Sequence, residues 1–197
     1  MTITEISPQK KRENRVNVSI DGNYYCSLDI ITVMRYKLKT GIELMPEELS
    51  EIIFSDQKEK AMAYGFDYAA SSVKTERQIK EKLVSKGYHK DIITYVINKL
   101  KEYGYIDDKA YASLYTEYRK SGKGRKLIEY ELRMKGIDYE CDISEEEEEE
   151  NCRNVCLKYN KNKEFDYNKT ARYLYSKGFS YDTIKRVVEE YSEDDGD

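Results

Sequence analysis

The stretch Thr75-Glu-Arg-Gln-Ile-Lys-Glu-Lys-Leu-Val-Ser-Lys-Gly-Tyr88, continued by residues 89–108, decides the fold because it spells out helices together with their start and stop signals. Thr75 is an N-cap residue with Gln78 three positions on, the capping-box pattern in which each side chain satisfies an orphan backbone N–H of the other. Ile79 and Leu83 lie four apart on one face, and Gly87 supplies the left-handed stop. The next helix carries Ile92, Ile93, Val96, Ile97 and Leu100 on a broad apolar stripe and ends at Gly104. Asp107 then caps another helix. Asp107-Asp108 is also a carboxylate pair, but it falls where a helix start needs an Asp.

The unit recurs. Leu83-x-x-Lys86-Gly87-Tyr88 returns as Leu132-x-x-Lys135-Gly136-Ile137 and as Leu174-x-x-Lys177-Gly178-Phe179, with the glycines 49 and then 42 residues apart. After the first and third copies, Ile93, Val96, Ile97 and Leu100 match Ile184, Val187, Val188 and Tyr191. Spacings of this size mark a helical repeat, each unit burying its open face on the next. The expected fold is mainly α: tandem three-helix units in an elongated, curved array, with a small N-terminal α+β extension.

The expected divisions are 1–56, 57–104, 105–143 and 144–197, the last ending in an acidic tail. In the extension, Arg15–Ile20 and Tyr24–Leu28 flank Asp21-Gly22-Asn23, a β-hairpin signal. Asp29 then caps a helix carrying Ile30, Val33, Met34 and Leu38 and ended by Gly41. Pro46 opens another, with Glu47 and Glu48 at its positive end. A further helix over 57–71 turns Ala61, Met62, Tyr68 and Ala69 inward, with Gly65 marking close helix packing. Residues 108–120 place Tyr111, Leu114, Tyr115 and Tyr118 on one stripe. In the second unit the chain runs from Gly136 through Ile137–Ser144 into Glu145–Glu150, so its third helix is short or missing. The six glutamates read as a solvated, frayed helix start or a disordered tract, and the Ser144 cap favours the helix.

Composition bounds the function. Hydrophobic residues make up 39% of the 197 and charged residues 37%, enough for a core in a polar chain. The net charge of −4 hides a segregation: residues 58–137 hold 18 basic and 11 acidic groups, a surplus of +7, whereas residues 138–150 hold nine acidic groups and no basic one. The basic middle permits contact with phosphate or with an acidic protein face. Twenty tyrosines stand against four phenylalanines and no tryptophan. They serve either as core-rim and interface fillers or as an exposed protein-binding or base-stacking surface.

Cys26, Cys141, Cys152 and Cys156 lack paired metal-ligand spacing, and His89 is the single histidine, so no metal or cofactor is expected. Cys152 and Cys156, one helical turn apart, read as small core residues. No triad or glycine-rich phosphate loop is present, and no catalytic residue is assigned. No apolar run is long enough to span a membrane and no secretory signal is visible, which leaves the reduced cytoplasm as the expected compartment.

Gly104-Tyr105-Ile106-Asp107-Asp108 with Tyr111 and Ala112, then Arg119, a Gly-Lys/Arg stretch, Ile128, Leu132 and Lys135-Gly136-Ile137, closely resembles the central motif of the RecX family. These bacterial regulatory proteins modulate the RecA recombinase. The resemblance covers residues 57–191, and the N-terminal part is similar to the extension of longer members. The family often has Arg-Pro-Arg-Ser where this chain has Ser72-Val73-Lys74-Thr75, and Lys-Gly-Pro where it has Lys123-Gly124-Arg125. The resemblance implies a non-enzymatic regulator that binds RecA and its filament on single-stranded DNA and limits its ATPase, strand-exchange and SOS co-protease work. The motif residues Gly104 to Asp108, Tyr111, Ala112, Leu132, Lys135 and Gly136 are mainly structural. The basic groups Lys74, Arg77, Lys80, Arg119, Lys120, Lys123, Arg125 and Lys126 are the candidates for contact with RecA or with DNA, and the chain is expected to act as a monomer. A helical DNA-binding protein acting independently of RecA, and a helical adaptor for another protein, are the alternatives.

Overall fold

The computed structural model describes residues 1–10, 12–162 and 164–194; Asp195 to Asp197 of the expected acidic tail lie outside these. The chain divides into two compact units, Met1–Ser71 with Lys80–Tyr103, and Ser72–Ile79 with Gly104–Asp197.

The first unit opens with an antiparallel sheet of order β1-β2-β3, from β1 (Ile3–Gln9), β2 (Arg12–Ile20) and β3 (Asn23–Asp29). The expected hairpin is β2–β3. Asp21 and Gly22 form its two-residue turn with φ of 49° and 82°, the left-handed pair whose twist suits flanking strands. The sequence reading missed β1, an edge strand whose Pro8 is tolerated at that position. The sheet buries Ile3, Val16, Val18, Ile20 and Leu28 against Leu38, Leu49 and Ile52.

Asp29 does cap a helix, accepting from the Ile31 N–H at 2.9 Å, but α1 (Ile30–Arg35) stops short of Gly41. The chain turns out of it through Lys37 at φ 51°. Leu38 is therefore buried from a loop, and Met34 points to solvent. The two helices expected over 46–71 are one continuous helix, α2 (Pro46–Ala70), which passes straight through position 56. Within α2, Asp56 is a buried carboxylate. It accepts from the Asp29 N–H at 2.7 Å and the Thr32 hydroxyl at 3.0 Å, and it faces the Arg15 guanidinium at 3.5 Å. One side chain thus ties the sheet, α1 and α2 together, its charge compensated as burial demands. α2 packs on α4 (Lys90–Glu102), whose Ile92, Ile93, Val96, Ile97 and Leu100 are all buried. A Cβ on Gly65 would lie 2.7 Å from Val96 Cγ1, so the glycine permits the close approach.

α3 (Glu76–Ser85) begins in the second unit and ends in the first. Its capping box is present: Gln78 Oε1 accepts from the Thr75 N–H at 3.0 Å, and Thr75 Oγ1 from the Gln78 N–H at 3.3 Å. The rest of the second unit holds α5 (Asp108–Arg119), α6 (Arg125–Met134), α7 (Glu145–Asn160), α8 (Tyr167–Ser176) and α9 (Tyr181–Asp194). Asp107 caps α5 through the Ala110 N–H at 2.9 Å. The buried face of α5 is Ala112 and Thr116, with Tyr111 and Tyr115 half-buried; Leu114 and Tyr118, expected on the same stripe, face solvent.

The three Lys-Gly motifs share one geometry. Gly87, Gly136 and Gly178 have φ of 79°, 86° and 87°. In each, the N–H of the next residue returns to the leucine carbonyl: Tyr88 to Leu83 at 3.4 Å, Ile137 to Leu132 at 3.0 Å, Phe179 to Leu174 at 3.5 Å. This is the Schellman stop, and the three leucines are wholly buried. Beyond the stop the copies diverge. After Gly178 the chain forms α9, closing a three-helix core of Cys152, Val155, Cys156, Leu174, Phe179, Ile184, Val187 and Val188. After Gly136 no helix forms before α7. An irregular segment lays Ile137, Cys141 and Ile143 over Ala112, Ile128 and Leu132.

Candidate functional site

The ends of the middle helices set where the basic side chains point. Asp108 Oδ1 accepts from the Glu76 N–H at 2.9 Å, and Thr75 Oγ1 donates to the Lys135 carbonyl at 3.0 Å. The equivalent contacts recur at α6. Glu148 Oε1 accepts from the Arg125 N–H at 2.9 Å, and the Gly124 N–H donates to the Lys177 carbonyl at 2.9 Å. A Cβ on Gly124 would sit 2.4 Å from the Gly178 carbonyl oxygen, so only glycine fits there. The start of each of these helices is held by a later helix that supplies a carboxylate and by a later Lys-Gly turn that lies across it.

This arrangement places the eight nominated cations unequally. Arg125 turns its guanidinium to the Ile143 carbonyl, and Lys123 pairs with Glu131. Lys120 bridges Glu117 at 2.8 Å and Glu147 at 2.6 Å. Lys74 turns back to Ser72, with its Nζ 3.4 Å from that carbonyl and also bonded to its hydroxyl. Arg77 is exposed, its stem packed over Gly136, where an added Cβ would meet Arg77 Cδ at 2.6 Å. Lys80 and Lys126 are exposed and have no ion pair among the described residues. In the dense run from 119 to 126, Lys120 and Lys123 are matched by carboxylates of the chain itself and Arg125 by a backbone carbonyl.

Arg119 belongs to an aromatic cluster. Its guanidinium lies 5.3 Å from the Tyr115 ring centroid and 5.5 Å from that of Tyr118, and Lys135 Nζ approaches the Tyr115 ring at 5.6 Å. Tyr111 and Tyr115 stack with centroids 6.0 Å apart. The Tyr115 hydroxyl donates to Glu131 Oε2 at 2.8 Å, beside the Lys123 pair. Partial burial pushes the Tyr115 phenol up, and the bond to Glu131 adds to the rise. Burial opposes ionisation of Glu131, but the bonds from Lys123 and Tyr115 outweigh it and hold its carboxyl below the usual range. Around Tyr115 the chain thus gathers Arg119, Lys123 and Lys135 against one carboxylate, with the Tyr118 ring 78% exposed at the edge.

Sequence reasoning nominated the cations and missed their partners. Glu148 sits in a run that reads as solvated, yet it is four residues before Cys152 on the inward face of α7 and only 7% exposed. That spacing is the signal that could have found it. Glu131 gave none. The cysteines behave as small core residues: all four are free, Cys141, Cys152 and Cys156 are buried, and burial pushes the Cys152 thiol up to about 12. Among the described residues no helix is long and apolar enough to cross a membrane.

Three-helix units with interlocked helix ends define a helical-repeat protein. Comparison with known proteins narrows that class. The family model described as the regulatory protein RecX N-terminal domain matches residues 1–45; those for the second and third three-helix domains of RecX match 107–141 and 146–188. The regulatory protein RecX of Clostridium tetani is 34% identical over 98% of this chain and 96% of its own. That of Bacillus licheniformis is 32% identical over 98% of this chain and 80% of its own. A crystal structure of regulatory protein RecX superposes with a TM-score of 0.64 at 26% identity, covering 95% of this chain and 98% of that one. The chain belongs to the RecX family of regulatory proteins.

Proposed function

We propose that this chain is a non-enzymatic, cytoplasmic regulator that binds the RecA recombinase as a monomer, engages its filament on single-stranded DNA and restrains its ATPase, strand-exchange and SOS co-protease work. The observation that carries this reading is the 34% identity to a regulatory protein RecX over 98% of the chain. The action needs no chemistry by the chain itself, since occupying a surface where DNA must enter suffices.

The contact residues fall within the nominated cations. Arg119, half-buried over two tyrosine rings, and the exposed Lys80 and Lys126 have no ion pair among the described residues. Lys120, Lys123 and Arg125 act chiefly inside the fold, where Glu117, Glu147, Glu131 and the Ile143 carbonyl take their charge. The test mixes the chain with RecA, single-stranded DNA and ATP and follows hydrolysis. Excess chain is expected to lower the rate, and Arg119→Glu with Lys126→Glu to weaken that inhibition while helical content is retained. Hydrolysis that ignores excess wild-type chain removes the reading; undiminished inhibition by the folded double variant removes these two residues from the interface.

A further inference from the structure

The helical repeat places one groove twice. Between α8 and α9 a depression of about 360 Å³ is lined by Ala171, Arg172, Tyr175, Tyr181, Ile184 and Lys185, among others. Between α3 and α4 a depression of about 280 Å³ is lined by Lys80, Val84, Lys90, Ile93 and Thr94, with Tyr88. Gly87 and Gly178 are 91 residues apart, and this offset maps Lys80 onto Ala171, Val84 onto Tyr175, Lys90 onto Tyr181, Ile93 onto Ile184 and Thr94 onto Lys185. The same five positions line both grooves. The unit that lacks its third helix cannot form one there.

The two grooves share a chemistry. Each has a buried isoleucine in its floor, an unburied apolar or aromatic wall and cations at its rim, and neither lining contains a carboxylate among the described residues. In the α8–α9 groove, Tyr175 and Tyr181 are 68% and 71% exposed and so stand as open walls around Ile184. Arg172 is exposed with no carboxylate partner among the described residues, and Lys185 lies 3.9 Å from Glu189. At about 360 Å³ the groove is near the lower end of the roughly 300–1,000 Å³ typical of ligand sites, room for an anchoring side chain and not for a large cofactor.

We propose that the α8–α9 groove docks an acidic peptide segment of a protein partner, which inserts one bulky apolar side chain between Tyr175 and Tyr181 and sets its carboxylates against Arg172 and Lys185. The apolar floor sets the anchor, and the carboxylate-free cationic rim sets the sign of the flanking charge. Aromatic walls with an arginine beside them are the composition in which binding energy concentrates. The inference rests on the reading of this chain as a protein-binding regulator and adds to it a second surface, remote in sequence from the cluster around Arg119.

The test uses the full chain and a fluorescein-labelled peptide, rich in Glu and Asp, with a single central Phe. The same peptide with Gly at the centre and an oligothymidylate of similar length are the comparisons. Anisotropy at low salt is expected to show the Phe peptide binding roughly tenfold tighter than the Gly peptide. Arg172→Glu and Tyr175→Ala, both at exposed positions, should each weaken it by about tenfold with the melting midpoint unchanged, and Tyr175→Phe should restore it. Failure of the Phe peptide to bind overturns the proposal, as does equal binding of the two peptides or indifference to both variants. Tighter binding of oligothymidylate with the same variant sensitivity also overturns it, in favour of a nucleic-acid surface. Wild-type inhibition of RecA ATPase, measured alongside, separates the two ideas: its absence sinks the regulator reading and leaves the peptide result to decide the groove.

Discussion

The cores of α5–α6 and of α7–α9 start from the same instruction and finish differently. Both contain a middle helix that ends in Leu-x-x-Lys-Gly with its leucine wholly buried and its glycine left-handed. In the second case α9 comes next, and its backbone satisfies itself through helical hydrogen bonds. In the first, residues 137–143 cover the core without a helix, so their backbone needs partners elsewhere. Two side chains of α6 provide them: Glu129 Oε1 accepts from the Cys141 N–H at 3.1 Å, and Arg125 donates to the Ile143 carbonyl. A missing helix is replaced by two charged side chains reaching across from a neighbouring one. Arg125 looks partner-facing in sequence because this second use of a cation depends on a segment eighteen residues away.

Truncating the matched leucines probes the contrast most strongly. Leu132→Ala and Leu174→Ala should each cost about 2–5 kcal/mol, with Leu174→Ala at the upper end because the helix-closed core relaxes less than one closed by an irregular segment. Chemical denaturation gives both values, and a reversed order would show that residues 137–143 are as rigid as α9.

A smaller effect separates the cations. Arg125→Ala should cost about 1–3 kcal/mol by leaving the Ile143 carbonyl without its charged donor. Arg186→Ala removes a surface pair with Glu149 at 2.9 Å and, after solvent screening, should cost below about 1 kcal/mol. Equal costs would mean that Arg125 is as dispensable inside the fold as a surface charge.

The mildest probe is alkaline pH. Cys152 is raised from 9.0 to about 12 by burial, so the folded chain keeps a proton that the unfolded chain gives up. Its contribution is complete below pH 9.0 and is lost as pH rises from there toward 12. The α7–α9 core holds two such thiols, Cys152 and Cys156, against Cys141 alone in the other. Cys152→Ala should flatten the decline in denaturation midpoint above pH 9.0, and an unaltered slope would show that this thiol does not set it.

Features carried by neighbours in sequence were legible. The Thr75 box, the Asp29, Asp107 and Ser144 caps, the Asp-Gly turn and the three Lys-Gly stops are each written within a few residues, and each is present. What escaped reading depends on distant partners. Asp56 gains its role only where Arg15, Asp29 and Thr32 surround it, and β1 needs β2 before its alternation counts as a strand. In the candidate site the cations were visible, but Glu131 and Glu147 take up Lys123 and Lys120, and these pairings cross 8 to 27 residues.

The borrowed carboxylates also impose an order in time. A chain emerging from the ribosome completes α6 with no side chain at its Gly124 cap, and the group that satisfies the Arg125 N–H, Glu148, is made 23 residues later. α3 likewise receives Asp108 only after another 32 residues. α8 waits for nothing, since Asp166 immediately before it accepts from the Lys169 N–H at 2.9 Å. Synthesis therefore tightens α3 and α6 retroactively, each from a stretch made later.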